Sequence, residues 1–253
     1  MPRYLSDAQL VAYARDGFLV VPGLFHADEV ADLRTWTDKV QAWPELPGRY
    51  MVYGESSLTE PGRRLVNRIE NVYPYHPGFE RLFDEEKLAG RVSELFGEPA
   101  VLFKDNINFK LPGGDGFKPH QDQQAGWSTY ARLFVTALVA IDEATAENGC
   151  LELAAGQHSR GLIGREWAPL TEDDMRGMEF AAYPAKPGDV AFFDSYVPHR
   201  SGPNRTAEPR RVLYVTYNRA SEGDHRLRYY ADKRKSYPPD CEREPGKQYV
   251  YRV

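Results

Sequence analysis

The nine residues Leu133–Ile141 (LFVTALVAI) are apolar at every position except Thr136. A strand with one face in water alternates polar and apolar residues, whereas a run that is apolar on both faces is typical of a central strand covered from two sides. We therefore predict two packed sheets rather than one. Nine residues are also far fewer than the ~20 that a helix needs to cross a bilayer, so we expect no membrane span.

Further short β-type runs lie on both sides of this central strand. Turn signals such as Asn148-Gly149 and Pro187–Asp189 separate them, and no helix-length repeat lies between most of them, which favours antiparallel pairing. We predict a mainly β protein with flanking helices. The predicted strands are Val101–Phe103, Ile107–Leu111, Leu133–Ile141, Cys150–Leu153, Val190–Phe193 and Val212–Tyr217.

The first hundred residues have a different, helical pattern. Ser6 and Gln9 are spaced as a capping box, and Gly17 follows where that helix should end. Residues 44–76 carry no sustained period, so we expect a long irregular or partly mobile segment there. The predicted elements are a helix after Ser6, a strand Phe18–Val21, a helix Ala27–Trp43 and a helix Phe79–Phe96 closed by Gly97.

The domain prediction follows from these patterns. We expect a single domain over residues 1–253, with a helical N-terminal part over about 1–100, a β core over about 101–220 and a C-terminal tail over 221–253. The tail has no period that assigns it a role. The sequence leaves the oligomeric state open.

Composition limits the classes of function. The chain has 253 residues, of which 42% are hydrophobic and 27% charged, as expected of a folded globular protein. Its net charge of −5 gives no electrostatic footprint for nucleic acid or an anionic membrane, so we expect neither of them as a partner. Cys150 and Cys241 are predicted to be free thiols. The N-terminus has no apolar signal stretch, which predicts a cytoplasmic location.

His120 and Asp122 are the first candidates for chemistry. In an extended segment, residues two apart point to one face roughly 6–7 Å apart along the chain, so both could reach one metal ion. A histidine and an aspartate at this spacing also occur by chance in surface turns. The pair alone therefore identifies no site.

His199, just beyond the predicted strand Val190–Phe193, is a third ligand candidate. Two histidines and one carboxylate form the facial triad of non-haem Fe(II) oxygenases, which leaves positions open for co-substrate and O₂. A zinc hydrolase would accept the same donors, but neither an H-E-x-x-H helix nor an H-x-H pair occurs in the chain. We therefore predict iron.

Arg210 and Arg211 are candidates for binding a dicarboxylate co-substrate, whose distal end needs a bidentate cation. Both open the predicted strand Val212–Tyr217, so one points inward and the other outward. Periodicity does not choose between them. Arginines at a strand edge also serve to prevent edge pairing.

A series of motifs stands in a specific order from the helix near Ser6 to Tyr217. It comprises Asn106–Lys110, His120–Asp122, Glu147–Cys150, Ala155–His158, Pro187–Asp189 and His199–Asn204 followed by Arg210. In order and spacing this series resembles the phytanoyl-CoA dioxygenase-like (PhyH) family of Fe(II)/2-oxoglutarate-dependent oxygenases. The resemblance implies a double-stranded β-helix (jelly-roll) core. It also implies Fe(II) as cofactor, with 2-oxoglutarate and O₂ as co-substrates.

The resemblance also implies roles for individual residues. Iron would be held by His120, Asp122 and His199. Arg210, rather than Arg211, matches the family arginine for 2-oxoglutarate, and Ser201 and Asn108 match positions that help to hold it. Related iron halogenases have a small residue in place of the carboxylate. Asp122 therefore favours hydroxylation, with release of succinate and CO₂.

The substrate has to be inferred from polar residues near the motifs. They favour a small polar or anionic molecule, such as an amino acid or an aminophosphonate. The alternatives are an acyl-CoA, a larger secondary metabolite, or a catalytically silent ligand-binding protein. Arg63, Arg64 and Arg68 could close over an anion, but the pattern favours a solvated surface. The candidate substrate residues are Lys104, Asn106, Lys110, Gln123, Gln124 and Trp127.

Overall fold

Two antiparallel sheets form the centre of the protein. The computed structural model describes residues 2–249. In chain order the strands are β1 (Phe18–Val21), β2 (Met51–Ser56), β3 (Arg64–Glu70), β4 (Ala100–Lys110), β5 (Phe117–His120), β6 (Phe134–Ala140), β7 (Leu151–Leu153), β8 (Ala181–Tyr183), β9 (Val190–Asp194), β10 (His199–Ser201) and β11 (Arg210–Arg219). The seven-stranded sheet has the order β1-β9-β6-β11-β4-β3-β2, and the four-stranded sheet has the order β5-β10-β7-β8.

The predicted central strand is β6, which pairs with β9 and β11 and is buried at all seven positions. One face of β6 packs in the main core with the helices, through residues such as Val135 and Val139. Leu138 on its other face packs with Leu151 and Leu153 of the small sheet. The prediction of two packed sheets is confirmed.

Within residues 2–249, five α-helices flank the sheets. As predicted, the Ser6 side chain accepts a hydrogen bond from the Gln9 backbone in a capping box, and Gly17 ends the helix with φ +82°. The helix predicted over Phe79–Phe96 is broken at Glu85, which is extended, and continues through a π-helical turn. The helices are α1 (Asp7–Asp16), α2 (Ala27–Gln41), α3 (Pro77–Asp84), α4 (Arg91–Phe96) and α5 (Arg226–Ser236).

The expectation of an irregular segment over residues 44–76 is wrong. This segment contains the β2–β3 hairpin, which extends the large sheet by pairing with β4. The polar residues Arg68 and Glu70 face inward on β3, and a bulge at Asn67 of β3 shifts its register against β2. Both features interrupt the alternation that identifies a strand. The N-terminal hundred residues therefore supply three strands as well as helices.

Two other regions differ from the sequence expectation. The runs Val101–Phe103 and Ile107–Leu111 belong to one strand, β4, because the polar residues between them, including Asn106, face the interior. The tail contains α5, which packs against β4 through Tyr229 and Tyr230. No described helix is both long and apolar enough to cross a membrane. Both cysteines are free thiols, as predicted.

Candidate metal centre and substrate cavity

Three side chains converge between the two sheets. His120 ends β5, Asp122 begins the next turn, and His199 opens β10, where it lies opposite His120 in the strand pairing. Asp122 Oδ1 lies 3.9 Å from His120 Nε2 and 3.8 Å from His199 Nε2. The ligand atoms all lie within 4.8 Å of one another, so one ion can contact all three.

Backbone contacts orient both imidazoles. His120 Nδ1 is 2.7 Å from the Lys118 carbonyl, and His199 Nδ1 is 3.0 Å from the Val197 carbonyl. Because a carbonyl can only accept, each Nδ1 carries the proton, and each Nε2 is left with a lone pair for a metal. Burial and the neighbouring His199 lower the pKa of His120 to about 4. His120 is therefore in the neutral form that binds metals.

The carboxylate is held from the large sheet. Asp122 Oδ2 accepts a hydrogen bond of 3.3 Å from Thr136 of β6, whose hydroxyl lies 2.9 Å from that of Thr216 in β11. Oδ1 is therefore the oxygen that faces the histidines. Two nitrogens and one carboxylate oxygen, each fixed by a second contact, suit a divalent iron with open coordination positions.

Two adjoining cavities of about 290 and 440 Å³ reach His120. The smaller one also reaches Asp122 and has a volume at the lower end of the range for small-molecule sites. Aromatic rings dominate its wall, and two lysines interrupt them. These residues are Lys104, Trp127, Tyr130, Trp167, Tyr229 and Lys233.

Arg210 and Arg211 point to opposite sides of β11. Arg210 is only 2% exposed and stands on the inner face with Tyr214 and Thr216, which line the space around the triad. Its Nε has no hydrogen-bond partner within residues 2–249, which fits a carboxylate ligand. Arg211 points outward, with Nε 2.7 Å from Asp142. The structure thus shows which of the two arginines faces inward, a choice that periodicity left open.

Lys110 lies at the Arg210 end rather than at the substrate cavity. It is the direct cross-strand partner of Arg210, and its Nζ is 2.7 Å from Ser201 Oγ. It also donates to the carbonyl of Gly202. Burial, followed by repulsion from Arg210, lowers the pKa of Lys110 to about 7. The structure thus places Lys110, which was predicted among the substrate residues, beside Arg210 and Ser201.

Gln123 and Gln124 do not face the cavity, contrary to expectation. Gln123 accepts a hydrogen bond of 2.9 Å from Ser195, and the Gln124 amide donates to the carbonyls of Arg165 and Ala168. Both are fully buried. A short 3-10 turn follows Asp122 and rotates them away from the metal side. Their hydrogen bonds stabilise the loops around the site.

The remaining candidates do line the space beside the triad. Asn106 and Asn108 lie on the cavity face of β4, where Asn106 donates to Asn108 Oδ1 at 2.9 Å. Lys104 and Trp127 line both this space and the 290 Å³ cavity.

Two cationic residues in this region were missed or misjudged from the sequence. Lys233 lies on α5, whose sequence shows no clear amphipathic period, and it lines the cavity. Arg68 was expected on a solvated surface but is only 6% exposed. The polar-apolar alternation of Arg68, Ile69 and Glu70 on β3 predicts that the two charged residues face solvent, whereas all three are buried.

Comparison with known proteins adds to this geometry. Residues 13–212 match the family model "Phytanoyl-CoA dioxygenase (PhyH)". A 2-aminoethylphosphonate dioxygenase from uncultured bacterium HF130_AEPn_1 is 40% identical, over 97% of this chain and 94% of that protein. A methylphosphonate hydroxylase from Gimesia maris is 39% identical, over 92% of this chain and 88% of that protein.

Solved structures share the fold. EctD from S. alaskensis, crystallised with 2-oxoglutarate and 5-hydroxyectoine, has a TM-score of 0.74 and is 27% identical over 86% of this chain and 77% of that one. The same protein with bound Fe has a TM-score of 0.72 and is 26% identical over 86% and 78% of the two chains. These likenesses confirm the jelly-roll core and the dependence on iron and 2-oxoglutarate. The chain therefore belongs to the phytanoyl-CoA dioxygenase (PhyH) family and is an iron- and 2-oxoglutarate-dependent dioxygenase.

Proposed function

We propose that this enzyme hydroxylates a C–H bond of a small aminophosphonate-type molecule, with release of succinate and CO₂. The observation that carries the proposal is the convergence of His120, Asp122 and His199 on one point beside a 290 Å³ cavity. The two relatives that act on phosphonates, each about two-fifths identical over nearly the whole chain, support this substrate class.

In this proposal the two Nε2 atoms and Asp122 Oδ1 hold Fe(II). When bound, iron and 2-oxoglutarate supply the oxidising chemistry that the side chains lack. The chain fixes the ligands through the Lys118 and Val197 carbonyls and through Thr136. These contacts fix the three donor atoms, which would hold the ion and leave coordination positions for co-substrate and O₂.

The proposed 2-oxoglutarate site lies at the end of β4 and β11 that carries Lys110 and Arg210, opposite the end that carries Lys104. Arg210 would bind the distal carboxylate through its partnerless Nε, and Ser201 and Asn108 would contribute further hydrogen bonds. Lys110 joins this group because its ammonium already contacts Ser201. Two buried cations side by side are costly without an anion between them, which supports a dicarboxylate at this place.

We further propose that residues 1–253 belong to one domain and that the partner of this enzyme is a small molecule rather than nucleic acid or a membrane. A cytoplasmic location remains a prediction from the sequence.

The test is a substrate panel with the protein reconstituted anaerobically with Fe(II). The panel contains 2-aminoethylphosphonate, methylphosphonate, amino acids and acyl-CoAs, each given with 2-oxoglutarate and O₂. We expect succinate release matched by a hydroxylated phosphonate, detected by phosphorus NMR. Coupled turnover of an acyl-CoA and none of a phosphonate would overturn the substrate class. Absence of succinate with every compound would indicate a silent binding protein.

A further inference from the structure

The ammonium group of Lys104 has no ion pair or hydrogen bond with the residues that the structure describes. Its Nζ lies over aromatic rings, 5.4 Å from the ring centroid of Trp127 and 5.9 Å from that of Tyr229. The side chain lines both the 290 Å³ cavity and the space around the triad. Burial lowers the pKa of Lys104, which reflects the cost of its charge in this place. An anionic ligand in the cavity would offset that cost.

A second ammonium group reaches the same cavity from α5. Lys233 Nζ is 2.7 Å from Glu70 Oε1, and the same oxygen lies 2.7 Å from Arg68 Nε. Burial raises the pKa of Glu70, but attraction by Lys233, Arg68 and Lys104 outweighs it and lowers the pKa to about 2. Glu70 is therefore ionised, and it fixes the positions of both cations that share its oxygen.

Glu70 itself lies behind the cationic side chains of Lys104, Lys233 and Arg68. It is fully buried and is not among the residues that line the cavities, whereas Lys104, Lys233 and Arg68 are. The carboxylate therefore presents positive groups to the cavity rather than its own charge. Two cations share this single carboxylate, and Lys104 adds a third positive charge. Asp122 and Asp232 also line the 290 Å³ cavity, but Asp122 belongs to the metal triad and Asp232 accepts a hydrogen bond of 2.9 Å from Tyr130.

The indole N–H of Trp127 is an independent sign of a missing acceptor. It is buried and has no hydrogen-bond partner within residues 2–249. An indole nitrogen can only donate, so this N–H lacks an acceptor, and a ligand oxygen that enters the adjoining cavity would supply one. Trp127 lines the same two spaces as Lys104 and lies next to His120 and Asp122 there.

We propose that Lys104, Lys233 and the Trp127 N–H form a subsite that selects a dianionic group, the phosphonate, over a singly charged one. Arg68 and Glu70 act as positioning residues behind it. The inference rests on the proposed function and names the residues that would recognise its substrate. Two ammonium groups and a neutral donor match the charge and the three oxygens of a phosphonate. A sulfonate has the same shape but only one negative charge, so it would leave one of the cations uncompensated.

The experiment measures binding by calorimetry at pH 8, with anaerobic enzyme that carries Fe(II) and 2-oxoglutarate. The two probes are 2-aminoethylphosphonate, whose second ionisation resembles that of a phosphate ester near pH ~6, and its sulfonate analogue 2-aminoethanesulfonate. We expect the wild type to bind the phosphonate at least about tenfold more tightly. Lys104→Gln should weaken phosphonate binding by about ten- to a hundredfold and sulfonate binding by less than about threefold.

Matched variants separate this effect from general ones. Lys235→Gln removes the same charge from an exposed position of α5 and should leave both affinities unchanged. Lys104→Arg should restore part of the phosphonate affinity. Trp127→Phe keeps the ring and removes only the N–H, so it should weaken phosphonate binding by about three- to tenfold. It tests the subsite even if Lys104→Gln fails to fold.

The outcomes distinguish this inference from the proposed function. Equal affinities for the phosphonate in wild type, Lys104→Gln and Trp127→Phe would overturn the subsite, and so would equal losses for both anions. Unchanged phosphonate turnover in these variants would overturn the subsite while leaving the proposed function intact. Absence of phosphonate-dependent succinate release by the wild type would overturn the proposed function itself.

Discussion

Lys104 and Lys110 stand on the same face of β4, six residues and so roughly 20 Å apart along the strand. The Lys110 ammonium contacts oxygens of Ser201 and Gly202, whereas the Lys104 ammonium contacts only aromatic rings among the described residues. Lys110 lies opposite Arg210, and Lys104 lies opposite Thr216, whose hydroxyl contacts the Thr136 that holds Asp122.

The difference shows how one strand can carry two anion sites on either side of the metal triad. At the Lys110 end, Ser201 and Gly202 hold the ammonium of Lys110, and Arg210 Nε is left for a ligand. The Lys104 end holds its cations through Glu70 and leaves an ammonium and an indole N–H for a ligand. Because both ends are basic, substitutions at each end and at the triad between them can show whether the two ends act separately.

The largest effect is expected from Asp122→Ala, which removes the centre between the two ends. Without the carboxylate ligand, succinate formation should fall on the order of a thousandfold or more, since a catalytic metal supplies several kcal/mol. Phosphonate binding at the Lys104 end should persist within about threefold. Metal content and calorimetry measure these effects, with Asp173→Ala, an exposed carboxylate, as control. Full activity in Asp122→Ala would refute the assignment of the triad.

Arg210→Ala tests the other end. A charge-assisted contact in a buried site contributes about 1.5–3 kcal/mol, so the KM for 2-oxoglutarate should rise by about ten- to a hundredfold. Arg211→Ala is the matched control, because Arg211 binds Asp142 on the outer face. Steady-state kinetics at varied 2-oxoglutarate would show this. A larger rise in Arg211→Ala would reverse the assignment.

Lys110→Met should change how stability depends on pH. Burial lowers the pKa of Lys110 from 10.5 to about 7, so between these values the unfolded chain binds a proton that the native chain does not. The free energy of unfolding therefore gains a contribution that rises with pH across this window. Urea unfolding at pH 7, 8 and 9 without 2-oxoglutarate should show a steeper rise for the wild type than for Lys110→Met. Parallel curves would disprove the pKa shift.

The smallest effect on substrate recognition is expected from Gln124→Ala. Its amide binds the carbonyls of Arg165 and Ala168, so its loss should lower the free energy of unfolding by about 1–3 kcal/mol. The KM for substrate should change by less than about threefold. A large change in KM with unaltered stability would show instead that Gln124 contributes to substrate binding.

Much of the fold could be predicted because its central elements carry clear patterns. The capping box of Ser6 and Gln9 and the fully apolar β6 are both local signals. The β2–β3 hairpin was missed because Arg68 and Glu70, which face inward for the sake of the site, have the same polarity as surface residues. The charged residues that face the site therefore prevented this strand from being predicted.

Some residues of the candidate site could also be predicted from the sequence, and others could not. The order and spacing of the whole motif series identify His120, Asp122 and His199 as metal ligands from the sequence, and the structure brings these three residues together. The inward direction of Arg210 required the register of β11, and the contribution of Lys233 required the docking of α5. Neither depends on a local pattern, because each is set by tertiary packing. Gln123 and Gln124 were misplaced since a 3-10 turn, not a strand, follows Asp122.

The most direct test of separate anion sites is a pair of titrations on two variants, Lys104→Gln and Lys110→Gln. The dissociation constants for 2-oxoglutarate and for 2-aminoethylphosphonate are measured by anaerobic calorimetry on the Fe(II) enzyme. We predict that Lys104→Gln weakens the phosphonate by at least about tenfold with 2-oxoglutarate unchanged, and that Lys110→Gln does the opposite. If each variant weakens the binding of both ligands equally, the two ends of β4 do not bind separate anions.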